Sequence, residues 1–143
     1  MKALAIVERG KGKRNFSCFV PQTINNCGLS GFGGTAREAM EDMKVSLQEY
    51  KEMATEKGET FPDVEFDFRF DVGAFFNYYP IDITAFAKYI GMNASVLRQY
   101  ATAIRQPKAE QLQKIRKGVE TFSRDLGANL MISQPAASYV DKQ

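Results

Sequence analysis

The sequence contains no histidine and no tryptophan, has only two cysteines, and lacks any long apolar run. The absence of histidine removes the side chain best suited to proton transfer near neutral pH, and it excludes a zinc site of mixed Cys and His ligands. Cys18 and Cys27 match no metal or redox spacing, so we interpret both as small apolar residues. We therefore predict no metal, no cofactor and no catalytic residues, although carboxylate or metal chemistry remains formally open.

The lack of long apolar runs also indicates where in the cell the protein is expected. No stretch approaches the roughly 20 residues of a membrane-spanning helix, and Glu8 interrupts the N-terminal apolar run before a signal-peptide core can form. The chain is therefore expected to be cytoplasmic. Its 143 residues suit one domain or two small ones.

Charge divides unevenly along the chain. Residues 1–75 hold ten Lys or Arg against twelve Asp or Glu, whereas residues 76–143 hold nine against five. This separation predicts two modules with different partners, of which the basic one is the candidate for binding nucleic acid.

Hydrophobic patterning in the first half predicts an antiparallel βββαβ sheet covered by one helix, within an α+β fold. The helix is expected to begin at a capping box, Thr35-Ala36-Arg37-Glu38. In such a box the Thr35 hydroxyl accepts from the Glu38 N–H, and the Glu38 carboxylate accepts from the Thr35 N–H. The predicted strands span residues 2–8, 16–20, 29–34 and 64–72, and the predicted helix spans residues 36–57.

From Pro80 onward the apolar residues follow a helical period. Asp82 is placed to cap a short helix that ends at Gly91, and Asn93 is placed to cap a second one. The predicted helices span residues 83–90, 94–104 and 112–126, with a small strand at 130–132. The predicted division of the chain is a sheet domain at residues 1–79, an all-α module at 80–132 and a flexible tail at 133–143.

The two short helices resemble a helix-turn-helix of the Xre type. Phe86-Ala87 stands at the Leu-Ala of that family, Gly91 at its turn glycine, Leu97 at its buried isoleucine, and Pro107 at the proline that follows its recognition helix. The resemblance implies a DNA-binding module whose second helix enters the major groove.

This chain departs from the Xre pattern in two respects. Ala101 and Ala103 stand where the family usually has Glu and Gly, and the family's first helix is missing, because the strand that begins at Val64 is expected to lead directly into Asp82. A small three-helix packing module that does not contact DNA is the alternative interpretation.

The resemblance also implies which residues contact DNA. Arg98 and Gln99 are of the types that read guanine and adenine, whereas Lys88, Lys108 and Lys114 are expected near phosphates or solvent. The predicted DNA-binding residues are Asn93, Ala94, Ser95, Arg98, Gln99, Arg105 and Lys108.

The first half resembles the HicB antitoxin fold, a partial RNase H-like sheet. The resemblance rests on the hairpin at residues 2–20, on the glycine-rich Gly-Phe-Gly-Gly-Thr at 31–35 leading into Ala-Arg-Glu-Ala at 36–39, and on the final alternating strand. With the helix-turn-helix it covers residues 1–132. It implies a non-enzymatic antitoxin that masks a small HicA-type ribonuclease toxin, represses its own operon by binding operator DNA, and forms a homodimer or higher homo-oligomer. It assigns no residue to the toxin contact.

Two other functions stay open at this point. A stand-alone transcriptional regulator would use the first domain only to dimerise or to sense a signal. A nuclease would use Glu65, Asp67 and Asp71, which we interpret instead as residues on the solvent-exposed face of a strand. A neighbouring gene for a very small basic protein separates the antitoxin from the regulator, and RNA cleavage with added Mg²⁺ or Mn²⁺ tests the nuclease.

Overall fold

We describe the fold from a computed structural model, which covers residues 1–10, 14–129 and 131–140. Four strands and six helices lie in these residues, so the α+β class is as predicted. The strands are β1 (Lys2–Glu8), β2 (Phe16–Phe19), β3 (Ser30–Gly33) and β4 (Glu65–Phe70). The helices are α1 (Ala36–Glu56), α2 (Val72–Tyr78), α3 (Ile83–Ile90), α4 (Ala94–Ala101), α5 (Ala109–Ala128) and α6 (Ala137–Val140).

The sheet is mixed, so the prediction of an antiparallel sheet is wrong. β2 pairs antiparallel with both β1 and β3, but β4 pairs parallel with β1. The cause is the crossover through α1, which carries the chain back across the sheet so that β4 enters in the direction of β1. The strand order is β3-β2-β1-β4, which leaves β3 and β4 at the two edges.

One face of the sheet packs against α1. Alternate residues of β1 and β2 point into this core, and they meet the apolar stripe of α1 that the periodicity predicted. Near the end of α1, Ala54 is buried whereas Met53 is 49% exposed. The buried residues of this layer include Ala3, Ala5, Val7, Phe16, Cys18, Ala39, Met40, Met43 and Leu47.

The capping box at the start of α1 forms with one change of partner. The Glu38 N–H donates to the Thr35 hydroxyl at 3.1 Å, as predicted. The Glu38 carboxylate accepts from the Gly34 N–H at 2.9 Å, one residue earlier than the Thr35 N–H that the motif predicted. The start of α1 is also held by α2, because the Ala36 N–H donates to the side-chain carbonyl of Asn77 at 2.8 Å.

β4 ends two residues earlier than predicted, and a helix follows it at once. Asp71 has extended backbone, and its carboxylate accepts from the Ala74 N–H at 2.8 Å, which caps α2. The prediction that no helix precedes α3 is therefore wrong. Val72 is in phase with the alternating strand residues, so the period alone did not mark the end of β4.

The chain divides into two compact units, Met1–Gln106 and Pro107–Gln143. The sheet, α2, α3 and α4 thus belong to one unit, whereas the functional division at residues 79 and 80 stays a prediction. Within the second unit, α5 contains the predicted third helix, and Ile115 is buried.

The structure near the C-terminus differs from the predicted strand and flexible tail. Met131 and Ile132 are not in a strand, and Leu130 lies outside the described residues. The predicted tail contains the four-residue helix α6. No helix of the described ranges has the length and apolar character that crossing a membrane requires.

Candidate nucleic-acid interface

α3 and α4 begin and end at the residues that the sequence indicated, except that α4 stops at Ala101. The Asp82 carboxylate accepts from the Ala85 N–H at 2.9 Å, and the Asn93 side-chain carbonyl accepts from the Val96 N–H at 3.1 Å. Gly91 has φ 73°, a left-handed conformation that favours glycine, and it turns the chain from α3 toward α4.

The two helices pack against each other and against α2. Phe86 and Ala87 of α3 are buried, as are Leu97 and Tyr100 of α4. The ring of Phe76 on α2 meets the ring of Phe86 edge-on, with centroids 5.7 Å apart. α2 therefore precedes α3 and α4 in the chain and forms a small three-helix cluster with them.

The turn after α4 is closed by a left-handed residue that is not glycine. Ala103 has φ 60°; its N–H donates to the Tyr100 carbonyl, and the Ile104 N–H donates to the Gln99 carbonyl at 3.1 Å. This pair of bonds is the Schellman arrangement, in which glycine is usual. Ala103 stands where the Xre family has glycine, so the residue differs while the backbone conformation is the one that glycine would adopt.

The outer face of α4 carries most of the predicted DNA-binding residues. Ser95 and Arg98 are exposed, and Ala94 and Gln99 are half-buried. One guanidinium nitrogen of Arg98 donates to the Thr84 hydroxyl on α3 at 2.8 Å. A guanidinium has five N–H donors, so this bond orients the group and leaves donors for a base edge.

Thr84 was not among the predicted site residues. It lies fourteen positions before Arg98 on another helix, and only the packing of α3 against α4 brings the two side chains together. No spacing rule within one helix indicates such a contact.

The remaining predicted cations are distributed between the two units. Arg105 is exposed just after α4, and its backbone N–H donates to the Gln99 carbonyl at 3.3 Å. Lys108 precedes α5 and belongs to the second unit. Lys88 is exposed on α3. Residues 80–106 hold three Lys or Arg against one Asp, so the surface of α3 and α4 is mildly basic.

A hydrogen-bonded link joins this helix cluster to the sheet. The Asp71 carboxylate, besides capping α2, accepts from the Arg9 N–H at 3.1 Å. The Arg9 guanidinium donates to the Ala101 carbonyl at the end of α4, at 3.4 Å. A side chain at Gly73 would meet Arg9, since an added Cβ would lie 3.0 Å from its Cβ. The end of α4 is thus fixed against the base of the β1–β2 hairpin.

The three carboxylates that a nuclease would use have different surroundings. Glu65 and Asp67 are exposed on β4, and Asp71 is occupied by the N–H groups of α2 and Arg9. Within the ranges that the structure covers, no three Cys, Asp or Glu side chains are grouped closely enough to hold a metal ion.

Comparison with protein-family models, with curated proteins and with solved structures gave no significant match to this chain. We therefore infer the function from the chain's own residues and geometry, together with the pattern resemblances of its two halves.

Proposed function

We propose that this chain is a DNA-binding antitoxin of the HicB type. Its sheet domain binds and neutralises a small HicA-type ribonuclease toxin, and α3 and α4 bind the operator of its own operon. The observation that carries the proposal is the order of elements in one compact unit: β1-β2-β3-α1-β4 is followed by α2 and then by two capped helices, α3 and α4, joined at Gly91.

The surface of α4 supports DNA binding. Arg98 is exposed at the middle of this helix, and its bond to Thr84 holds the guanidinium in a defined orientation. A bidentate contact of arginine with guanine discriminates against other bases by about 1–3 kcal/mol. Ser95, one turn before Arg98, is exposed on the same side of the helix and completes a small polar surface.

The sheet face opposite α1 supports a protein partner for the first domain. Leu4 is 40% exposed and Phe32 is 65% exposed on that face, and Ile6 lies opposite Phe19 between them. Exposed apolar patches of this kind mark interaction surfaces. The acidic balance of residues 1–75 suits a basic partner, as a small RNA-cleaving toxin would be.

The second candidate is a stand-alone dimeric regulator without a toxin. The bond from Arg9 to the Ala101 carbonyl favours it, since a sensing domain attached directly to α4 would act through such a contact. A neighbouring gene for a very small basic protein, and arrest of growth when that protein is expressed alone, would favour the antitoxin.

DNA binding is tested by fluorescence anisotropy with a duplex from upstream of the chain's own gene and a scrambled duplex of equal length. Arg98→Ala should weaken binding to the first duplex about 5- to 150-fold, from the loss of about 1–3 kcal/mol, and should leave binding to the second nearly unchanged. Lys88→Ala is the control, because loss of a phosphate contact should weaken both duplexes alike. Unchanged specific binding by a folded Arg98→Ala variant would refute the assignment of α4 as the recognition helix.

A further inference from the structure

The two edges of the sheet differ in how many of their backbone groups are already bonded to side chains. Along the outer edge of β3, side chains of α1 bond to the backbone and block a further strand. These bonds join the Phe32 N–H to the Asp42 carboxylate (2.9 Å), the Gly34 N–H to the Glu38 carboxylate (2.9 Å) and the Ser46 hydroxyl to the Ser30 carbonyl (3.1 Å). Natural sheets commonly cover an edge in this way, because an open edge recruits other chains.

The outer edge of β4 carries fewer such bonds than the outer edge of β3. The Glu65 N–H donates to the Met1 carbonyl at 2.9 Å, and the Asp71 N–H donates to the Val7 carbonyl at 3.0 Å. In a parallel pair alternate residues face the partner strand, so the odd-numbered residues of β4 bond to β1 and the even-numbered ones face outward. The outward residues are Phe66, Phe68 and Phe70. The Arg69 guanidinium donates to the outward Phe68 carbonyl at 3.4 Å, and a carbonyl oxygen can accept a second hydrogen bond.

We infer that β4 pairs antiparallel with β4 of a second copy of this chain, about a two-fold axis at Phe68. In this register Phe66 of each copy lies opposite Phe70 of the other, and Phe68 lies opposite Phe68. Each of these pairs exchanges both of its N–H···O bonds, so every outward backbone group of β4 is satisfied. The two four-stranded sheets would then form one continuous sheet.

The charged side chains on the sheet face opposite α1 favour this register and favour a second copy of the chain as the partner. With the axis at Phe68, Asp67 of each copy lies directly opposite Arg69 of the other. Moving the axis to residue 67 or 69 would place two aspartates or two arginines opposite each other, and like charges in that position destabilise a sheet. Asp67 and Arg69 already form an ion pair within one chain, and their side chains are 55% and 65% exposed, so they remain accessible to a second copy. A strand that complements itself in this way suits an isologous dimer.

The aromatic side chains of β4 also favour a second copy. Phe66 and Phe68 are only half-buried, with ring centroids 5.8 Å apart. Pairing about Phe68 would bring Phe70 of the other chain beside Phe66, and Phe68 of the other chain beside Phe68, because side chains opposite each other on one face of a sheet are in contact. The half-buried rings would thus bury more of their apolar area.

This inference does not depend on a toxin or on DNA, and its test reads only the assembly of the purified full chain. Sedimentation equilibrium should show a dimer. Arg69→Asp places aspartates opposite each other twice, so it should raise the dimer dissociation constant about tenfold or more. The double variant Asp67→Arg with Arg69→Asp restores both opposite-charge pairs and should restore the dimer. Lys117→Asp, an equal change of charge on exposed α5, should leave dissociation unchanged.

Hydrogen exchange locates the contact independently of the variants. The amides of Phe66, Phe68 and Phe70 should exchange slowly at high protein concentration and rapidly after dilution below the dissociation constant, while the amides of Glu65 and Asp71 stay protected throughout. A wild-type monomer at 100 µM would overturn the inference, as would a dimer in which the three outward amides exchange rapidly. Failure of a folded double variant to regain the dimer, or protection of these amides only when a co-expressed neighbouring protein is bound, would also overturn it.

Discussion

Asp71 is expected to be the carboxylate on which the stability of the first unit depends most. It is half-buried, and it bonds to two parts of the chain at once: the Ala74 N–H at the start of α2, and the Arg9 and Gly10 N–H groups just after β1. Asp71→Ala removes these bonds and leaves three N–H groups without this acceptor in a partly buried environment.

The size of the effect follows from these contacts. Loss of a helix N-cap costs about 1 kcal/mol. Loss of a hydrogen bond to a charged acceptor costs about 1.5–3 kcal/mol, and partial burial places Arg9 near the lower end. Asp71→Ala should therefore lower the free energy of unfolding by about 2–4 kcal/mol. Asp82→Ala is the matched control, because Asp82 is exposed and caps α3 through one bond, so its loss should cost about 1 kcal/mol.

The assay is urea unfolding followed by the near-ultraviolet circular dichroism of tyrosine, since five of the six tyrosines lie in the first unit. The difference between the two variants isolates the bonds from Arg9 and Gly10 from the contribution of the helix cap. If Asp71→Ala lowers the free energy of unfolding no more than Asp82→Ala does, the bonds from Arg9 and Gly10 to Asp71 do not contribute to stability, which would contradict this prediction.

Three further predictions concern the core and the boundaries of the first unit. Gly31→Ala should cost about 3 kcal/mol or more in urea unfolding, because its Cβ would lie 2.3 Å from a backbone nitrogen of α1. Gly28→Ala meets nothing within 4 Å and should stay within about 0.5 kcal/mol, and equal effects would contradict the packing. Burial raises the pKa of the Cys18 thiol from 9.0 to about 11, so its contribution to stability is full below pH 9 and is lost as pH rises through about 11. Cys18→Ala should remove the fall in the free energy of unfolding between about pH 9 and pH 11. If the variant and the wild type show the same pH dependence, the pKa of the Cys18 thiol is not raised in the folded protein. A chain ending at residue 106 should unfold cooperatively, whereas one ending at residue 79 should not, because α2 then loses its contact with α4. Cooperative unfolding of the shorter chain would show that the sheet domain folds independently of α3 and α4.

The elements that the sequence predicted well are those decided by local contacts. α1 follows from a capping motif and a regular apolar stripe, and the caps at Asp82 and Asn93 follow from side chains that bond three residues ahead. The exposure of Arg98 follows from its place opposite Leu97 and Tyr100 on the helix.

The elements that the sequence did not predict depend on distant partners. Nothing in the alternation of β4 indicates that it pairs parallel with β1, because the same period suits either direction. Arg9 was interpreted as one of several loop cations, and only the folded chain brings its guanidinium to the Ala101 carbonyl. Thr84 beside Arg98 is the same kind of contact, between helices rather than within one.

The central claim is that one chain both neutralises a toxin and represses its operon, through different surfaces. The direct measurement expresses the small protein of the neighbouring gene in growing cells together with the wild-type chain or Arg98→Ala, while a reporter reads the chain's own promoter. We predict that both chains permit growth and that only the wild type represses the reporter. Growth arrest despite a soluble, folded wild-type chain, or loss of growth and repression together in folded Arg98→Ala, would contradict the account.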